Sequence, residues 1–163
     1  MKKTNVILGI VIAAFIIIAA VILLVAGLSN RENKKAPENV DFVALSNSIE
    51  EVTNLDPTKM EEITKDDLVN DFKLDESWIE DYIGEKQYLN ISASMYVIVK
   101  TTEGNAENVV NAFKEYGVSY DEMWKDYLAE EYELVKNRQI GAKGNYVYFV
   151  VSDYAKEIVE LIK

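Results

Sequence analysis

From Val6 to Leu28 the chain reads VILGIVIAAFIIIAAVILLVAGL, 23 residues with no charge and no strongly polar side chain. As an α-helix this run is about 34 Å long, enough to cross a ~30 Å hydrocarbon core with some tilt. It is longer than the ~7–15 apolar residues of a cleaved signal peptide, although Val25, Ala26 and Gly27 offer a poor cleavage site. The expectation is one uncleaved transmembrane helix over 6–28, preceded by a short tail, 1–5. Lys2 and Lys3 lie before it and Arg31, Lys34 and Lys35 just after it, so the basic residues on the two sides do not decide orientation. A short tail held inside, with the long domain exported, is the arrangement expected for a chain that opens Met-Lys-Lys, since long domains cross largely regardless of charge. The predicted location is the cell membrane, single-pass, with the domain extracytoplasmic. Gly9, Ala13, Ala20 and Gly27 fall within about 40° of one another on this helix. That small-residue face predicts packing on another helix, including a homo-oligomer.

The rest of the chain is acidic. Formal net charge is −11 overall, and the 135 residues after Leu28 carry 15 basic and 28 acidic side chains. A nucleic-acid reader needs a basic stripe to displace phosphate counterions, so nucleic acid is excluded as a partner. The one basic cluster, Arg31, Lys34 and Lys35, follows the apolar run, where cations meet lipid headgroups. There is no cysteine and no histidine. That removes disulfides, thiolate nucleophiles, a lipid-modified cysteine, imidazole bases and zinc sites that need histidine.

Ser29 to Asn39 (SNRENKKAPEN) is polar and lacks an apolar period, which predicts a linker over 29–39 and an acidic α+β domain over 40–163. Phe42, Leu45, Ile49 and Val52 fall on one helical face. Thr64 and Asp67 have the spacing of a capping box for a helix to about Phe72, and Asp75 to Ile83 adds a further helical turn or two. Ser94 to Lys100 (SMYVIVK) reads as a strand. Ala106, Val109, Val110 and Phe113 mark a helix expected to stop at Tyr116-Gly117. Ser119 and Glu122 would cap the next one, whose apolar residues include Met123, Tyr127 and Leu128. Arg138 to Ala142, a Lys143-Gly144 turn and Asn145 to Ser152 read as a hairpin. Asp153 would cap a last helix. The element order is α-α-β-α-α-β-β-α, which predicts a small three-stranded, mainly antiparallel sheet packed with helices behind the transmembrane helix.

Three segments carry a resemblance. Met95-Tyr96-Val97-Ile98-Val99-Lys100, the helix opening Asn105-Ala106-Glu107-Asn108-Val109, and Lys143-Gly144-Asn145-Tyr146-Val147 running to Val150-Val151-Ser152-Asp153 are similar to the bacterial membrane- or lipid-anchored proteins grouped as domain of unknown function 4358. The similarity is densest over the last 70 or so residues, and the element order from Val40 onward resembles the family too. The resemblance implies an extracytoplasmic domain and brings no known activity. Two features depart from it: Met95 stands where the family often has an acid, and the lipoprotein cysteine of many members is missing, which leaves the helix as the anchor.

No catalytic constellation stands out. Asp66, Asp67, Asp71, Asp75 and Glu76 are dense enough to suggest Ca²⁺, but they lack the spacing that wraps the ion in a loop, and a solvated helix face is the simpler account. Glu130, Glu131, Glu133 and Asp153 could supply a glycosidase pair, yet in so acidic a chain some pair always arises. Lys143-Gly144 lacks the Gly-rich run of a phosphate loop, and Asn90-Ile91-Ser92 has the form of a glycosylation acceptor without a known host. Trp78, Trp124 and the tyrosines read mainly as packing. No metal or cofactor is expected. The functional expectation is a non-catalytic, membrane-tethered module that binds an envelope component. The alternatives are a structural or assembly subunit of a membrane complex and a small carboxylate-based hydrolase. Both faces of the strands are apolar. Tyr96, Tyr146 and Tyr148 share one face, which is either a partner-binding surface or core covered by the helix bearing Phe42, Leu45, Ile49 and Val52.

Overall fold

The computed structural model describes residues 36–53, 56–88 and 91–163, all within one unit, Ala36–Lys163. The predicted membrane span 6–28, with Gly9, Ala13, Ala20 and Gly27, lies outside the described residues, as does the linker up to Lys35. Among the described residues no helix is long and apolar enough to cross a membrane.

The elements are α1 (Phe42–Thr53), β1 (Met60–Glu62), α2 (Lys65–Asn70), β2 (Ile79–Gln87), β3 (Met95–Thr101), α3 (Ala106–Trp124), α4 (Ala129–Lys136), β4 (Gln139–Lys143), β5 (Tyr146–Val151) and α5 (Ala155–Leu161). The class is α+β, as expected. The sheet, however, has five strands in the order β1-β2-β3-β5-β4, antiparallel at every pairing, instead of three. The two extra strands are β1 and β2, whose sequences MEE and IEDYIGEKQ are rich in charge. Asp75 to Ile83 therefore is not a helix. Asp75 caps a single 3-10 turn, Glu76–Trp78, by accepting the Ser77 N–H at 2.8 Å, and the chain then extends into β2. Gly84 allows the close pairing there: a Cβ on it would fall 2.9 Å from the Tyr96 carbonyl oxygen.

The sheet is covered on both faces, which is why β3 and β5 are apolar at almost every position. Met95, Val97 and Val99 of β3 and Val147, Phe149 and Val151 of β5 pack against Leu68 of α2, Val109 and Phe113 of α3 and Val135 of α4. Tyr96, Ile98, Tyr146 and Val150 pack on the other side against Leu45 and Ile49 of α1 and Ala155, Ile158 and Ile162 in and after α5. Each fully buried large aliphatic or aromatic side chain contributes about 1.5–3 kcal/mol relative to exposure.

Some local expectations hold and others are corrected. The Thr64–Asp67 capping box forms, with both reciprocal bonds. Gly144 has φ +60°, in the left-handed region open to glycine, but the turn residues are Gly144 and Asn145. The predicted stop at Tyr116-Gly117 is wrong, because α3 runs unbroken to Trp124 and Ser119 caps nothing. Gly117 serves a different purpose. The Arg138 guanidinium lies across it, with Nε 2.9 Å from where a Cβ would sit. The same guanidinium forks onto Asp121 one turn later, at 2.7 and 2.8 Å, and donates to the Val135 carbonyl at 2.7 Å. Nor does Asp153 cap α5, which begins after Tyr154 without a side-chain cap; the Ser152 hydroxyl accepts the Tyr154 N–H at 3.1 Å.

Candidate functional site

The three tyrosines do share a face, as β3 and β5 pair Tyr96 with Val150, Ile98 with Tyr148 and Lys100 with Tyr146. Two of the three are covered by helices. Tyr96 and Tyr146 are 2% and 1% exposed beneath α1 and α5. The Tyr146 ring meets Phe42 edge-on at 5.9 Å, and its hydroxyl accepts the Val40 N–H at 2.9 Å. Tyr148 is half-buried and lies over Gly141 of β4, where an added Cβ would fall 2.6 Å from its hydroxyl. An aromatic ring thus covers the gap that a strand glycine leaves.

The Tyr96 hydroxyl lies 3.5 Å from the Ser46 hydroxyl, and burial raises its pKa above the usual phenol range. Its cross-strand neighbour Glu85 also has a raised pKa. Burial is the main cause; the Tyr96 hydroxyl opposes it and the Glu50 and Glu62 carboxylates add to it. A carboxyl whose native pKa is raised favours folding while protonated, and that contribution is lost as pH rises from its ordinary value of 4.5 through the native value. Glu85→Gln is therefore expected to raise the unfolding midpoint near neutral pH, with the gain vanishing in acid. A gain that persists undiminished at acid pH would contradict this.

Several of the other sequence candidates are occupied structurally. Asp67 belongs to the capping box and meets Lys86 at 3.2 Å. Burial pushes its pKa up, but the Thr64 hydrogen bonds and Lys86 together outweigh that and hold it low. Glu76 pairs with Lys65 and Glu133 with Lys136. Among the described residues no group of three or more acidic side chains could hold a metal ion. Lys143 Nζ donates to the Val159 and Ile162 carbonyls at 2.5 and 3.1 Å, which closes the C-terminal end of α5 rather than cradling a phosphate. Asn90 lies outside the described residues.

The residues with a free approach lie elsewhere. A cavity of about 230 Å³ opens where the start of β3 and the end of β2 meet α3. Tyr116, Tyr120 and Trp124, four residues apart along α3, form one wall. Their rings follow one another at 5.6 and 6.0 Å, and Tyr127 continues the row at 5.6 Å from Trp124. Tyr120 and Trp124 are buried and Tyr116 is half-buried. The side chains further out are open: Tyr88 is 68%, Met123 64% and Tyr127 59% exposed. The lining also includes Glu61, Lys86, Gln87, Ser92 and Ser94.

Hydrogen bonds fix that wall. The Tyr120 hydroxyl donates to the Ala93 carbonyl at 3.0 Å, and the Ala93 N–H donates to Glu131 of α4 at 2.6 Å. The Ser92 hydroxyl donates to the Ser94 hydroxyl at 3.1 Å. Burial lifts the Tyr120 phenol to about 12, against a smaller lowering by the Trp124 indole; Trp124 Nε1 is itself buried without a well-formed hydrogen bond. Burial also raises the Tyr116 pKa. Phenols this resistant to ionisation supply surface and a fixed O–H rather than acid–base chemistry near neutrality.

A larger cavity, about 630 Å³, lies beside the α4–β4 and β5–α5 connections. Two of its three cations are committed, Arg138 to Asp121 and Lys136 to Glu133, and its lining holds no aromatic ring, so it lacks the stacking wall of the groove. The chain enters the domain at Ala36 beside Gly144, close to Tyr146. Because β3 and β5 are antiparallel, with Met95 opposite Val151 and Lys100 opposite Tyr146, the groove lies at the other end of these strands.

Sequence reading missed this groove because Met123, Tyr127 and Leu128 read as one apolar helical face, whereas Met123 and Tyr127 point outward. The usable signal was the repeat of Tyr116, Tyr120 and Trp124 at intervals of four, longer than a core facing a short sheet needs. No curated protein and no solved structure matches the chain. Residues 53–152, which hold all five strands and the groove up to Tyr127, match the family described as a domain of unknown function (DUF4358), and the chain belongs to that family.

Proposed function

We propose that this chain is a membrane-tethered, non-catalytic binding module whose acidic domain lies outside the cytoplasm and takes an envelope partner into the groove beside Tyr88, Met123 and Tyr127. The observation that carries the reading is the row of aromatic rings on α3. It is hydrogen-bonded at Tyr120, continues past the helix to the exposed Tyr127, and walls a cavity that the exposed Tyr88 and Met123 also line. Aromatic residues and methionine are enriched at the cores of interfaces. The 23-residue apolar run Val6–Leu28 supports the tether, and the similarity to lipid-anchored relatives supports an external domain.

Two measurements test it. Protease added to intact cells should digest the region after Asn30, whereas full protection until lysis would reverse the orientation. Chemical crosslinking in intact membranes should capture a partner with the unaltered chain. With Tyr88→Ser and Tyr127→Ser combined, that capture should fall at least about tenfold, as expected for loss of two interface aromatics, while the unfolding midpoint stays within about 2 °C. Undiminished capture would remove the groove from the binding surface.

A further inference from the structure

We infer that the groove accepts an extended, lysine- or arginine-bearing segment of a partner protein, an inference that rests on the groove being the binding site. Charge is the first argument. From Ala36 to Lys163 the chain holds 12 basic and 27 acidic side chains, a field that repels anionic ligands and draws in cations. The groove's own lining carries one acid, Glu61, and one base, Lys86, while Asp126 and Glu130 are exposed in the sequence that flanks Tyr127 and leads into α4. The nearby cations are neutralised locally, Lys86 by Asp67 and Lys125 by Glu122, which leaves a phosphate or carboxylate ligand without a counter-charge.

The second argument is the lining. Tyrosine and tryptophan faces attract ammonium and guanidinium groups, and the chain shows the interaction elsewhere, on α4, where Lys136 Nζ lies 5.1 Å from the centroid of Tyr132. Tyr88 and Tyr127 are the exposed rings available for a cation from outside. The third is size. A volume of about 230 Å³ is below the ~300–1,000 Å³ of pockets that enclose whole drug-sized ligands. It suits one long side chain of an extended strand whose backbone stays on the rim, where Gln87, Ser92 and Ser94 offer donors and acceptors. A neutral saccharide would use the same aromatic wall but would gain nothing from the acidic surroundings.

The test uses the full chain in a neutral detergent with labelled peptides of repeating Lys-Pro-Pro, Ser-Pro-Pro and Glu-Pro-Pro, the prolines holding each probe extended, and N-acetylglucosamine oligomers as the saccharide arm. The lysine peptide should bind saturably and at least about tenfold more tightly than the serine peptide. Added salt should weaken it, because the flanking charges are exposed, and the glutamate peptide should not bind. The combined Tyr88→Ser and Tyr127→Ser substitutions should cost about tenfold in affinity with an unchanged unfolding midpoint. Equal binding of lysine and serine peptides, binding of the saccharide alone, binding of none, or lysine-peptide affinity indifferent to the tyrosines would each overturn the inference. If one of these results accompanies membrane crosslinking that still depends on Tyr88 and Tyr127, the groove stands as the site and only the basic segment is rejected.

Discussion

Replacing Phe149 by alanine is expected to remove about 3–5 kcal/mol of stability, the cost of truncating a buried aromatic ring to a methyl group. Phe149 is fully buried on β5. Its ring meets those of Phe72, Phe113, Tyr116 and Tyr120 at 5.4–6.2 Å, each edge-on. These four come from α3 and from the loop that follows α2, so the vacated space cannot be closed by one helix shifting. A domain of this size has about 5–15 kcal/mol in total, so the variant should unfold at much lower denaturant. Urea unfolding followed by far-UV circular dichroism on the full chain measures it. Because Tyr116 and Tyr120 also form the groove wall, peptide affinity should fall with the folded fraction and also below it. A shift of the midpoint equivalent to less than about 1 kcal/mol would mean that the aromatic row is not packed as described.

Tyr146→Ser should be comparably damaging, about 3–5 kcal/mol. The ring is 1% exposed between α1 and the sheet, and its hydroxyl satisfies the Val40 N–H. Serine would empty the space and leave that amide without its partner, because the shorter side chain cannot reach. Tyr148→Ser should cost less. Tyr148 is only half-buried, packs at the edge of the core under α1 and α5, and covers Gly141. Neither change should abolish partner capture in molecules that remain folded. Loss of capture with an unchanged unfolding midpoint would restore this face as the binding surface.

These two residues also mark how far sequence reading reaches here. Strands β3 and β5 were legible because burial on both faces leaves no room for polar alternation, and the side assignment of Tyr96, Tyr146 and Tyr148 follows from strand parity alone. Whether the second apolar face is open or covered could not be read, since α1 and α5 lie far apart in sequence and meet the sheet only through tertiary packing. Strand β2 was hidden for a different reason. Tyr82, Gly84 and Lys86 face α3's side of the sheet while Asp81, Ile83 and Glu85 face the other, as their pairing with Val99, Val97, Met95, Lys100, Ile98 and Tyr96 requires. The charged residues of β2 satisfy neither helix nor strand periodicity.

Gly117 shows a local rule overridden by a distant side chain. Glycine after a helical run ordinarily marks a stop, but Arg138, 21 positions further on in the sequence, fills the space beside it and ties α3 to the start of β4. The groove was half legible. Its wall is written in the spacing of Tyr116, Tyr120 and Trp124, but its mouth depends on Tyr88, contributed by the end of β2, a strand with no apolar pattern of its own.

The most direct test of the central claim is site-specific photocrosslinking in intact membranes, with a photoreactive amino acid placed at Met123 in one variant and at Val43 in another. Both positions are exposed, 64% and 74% respectively; Met123 lines the groove, whereas Val43 lies on α1 across the sheet. The account predicts a discrete adduct from Met123, absent from Val43 and lost when Tyr88 and Tyr127 are both serine. An adduct from Val43 with none from Met123 would contradict it.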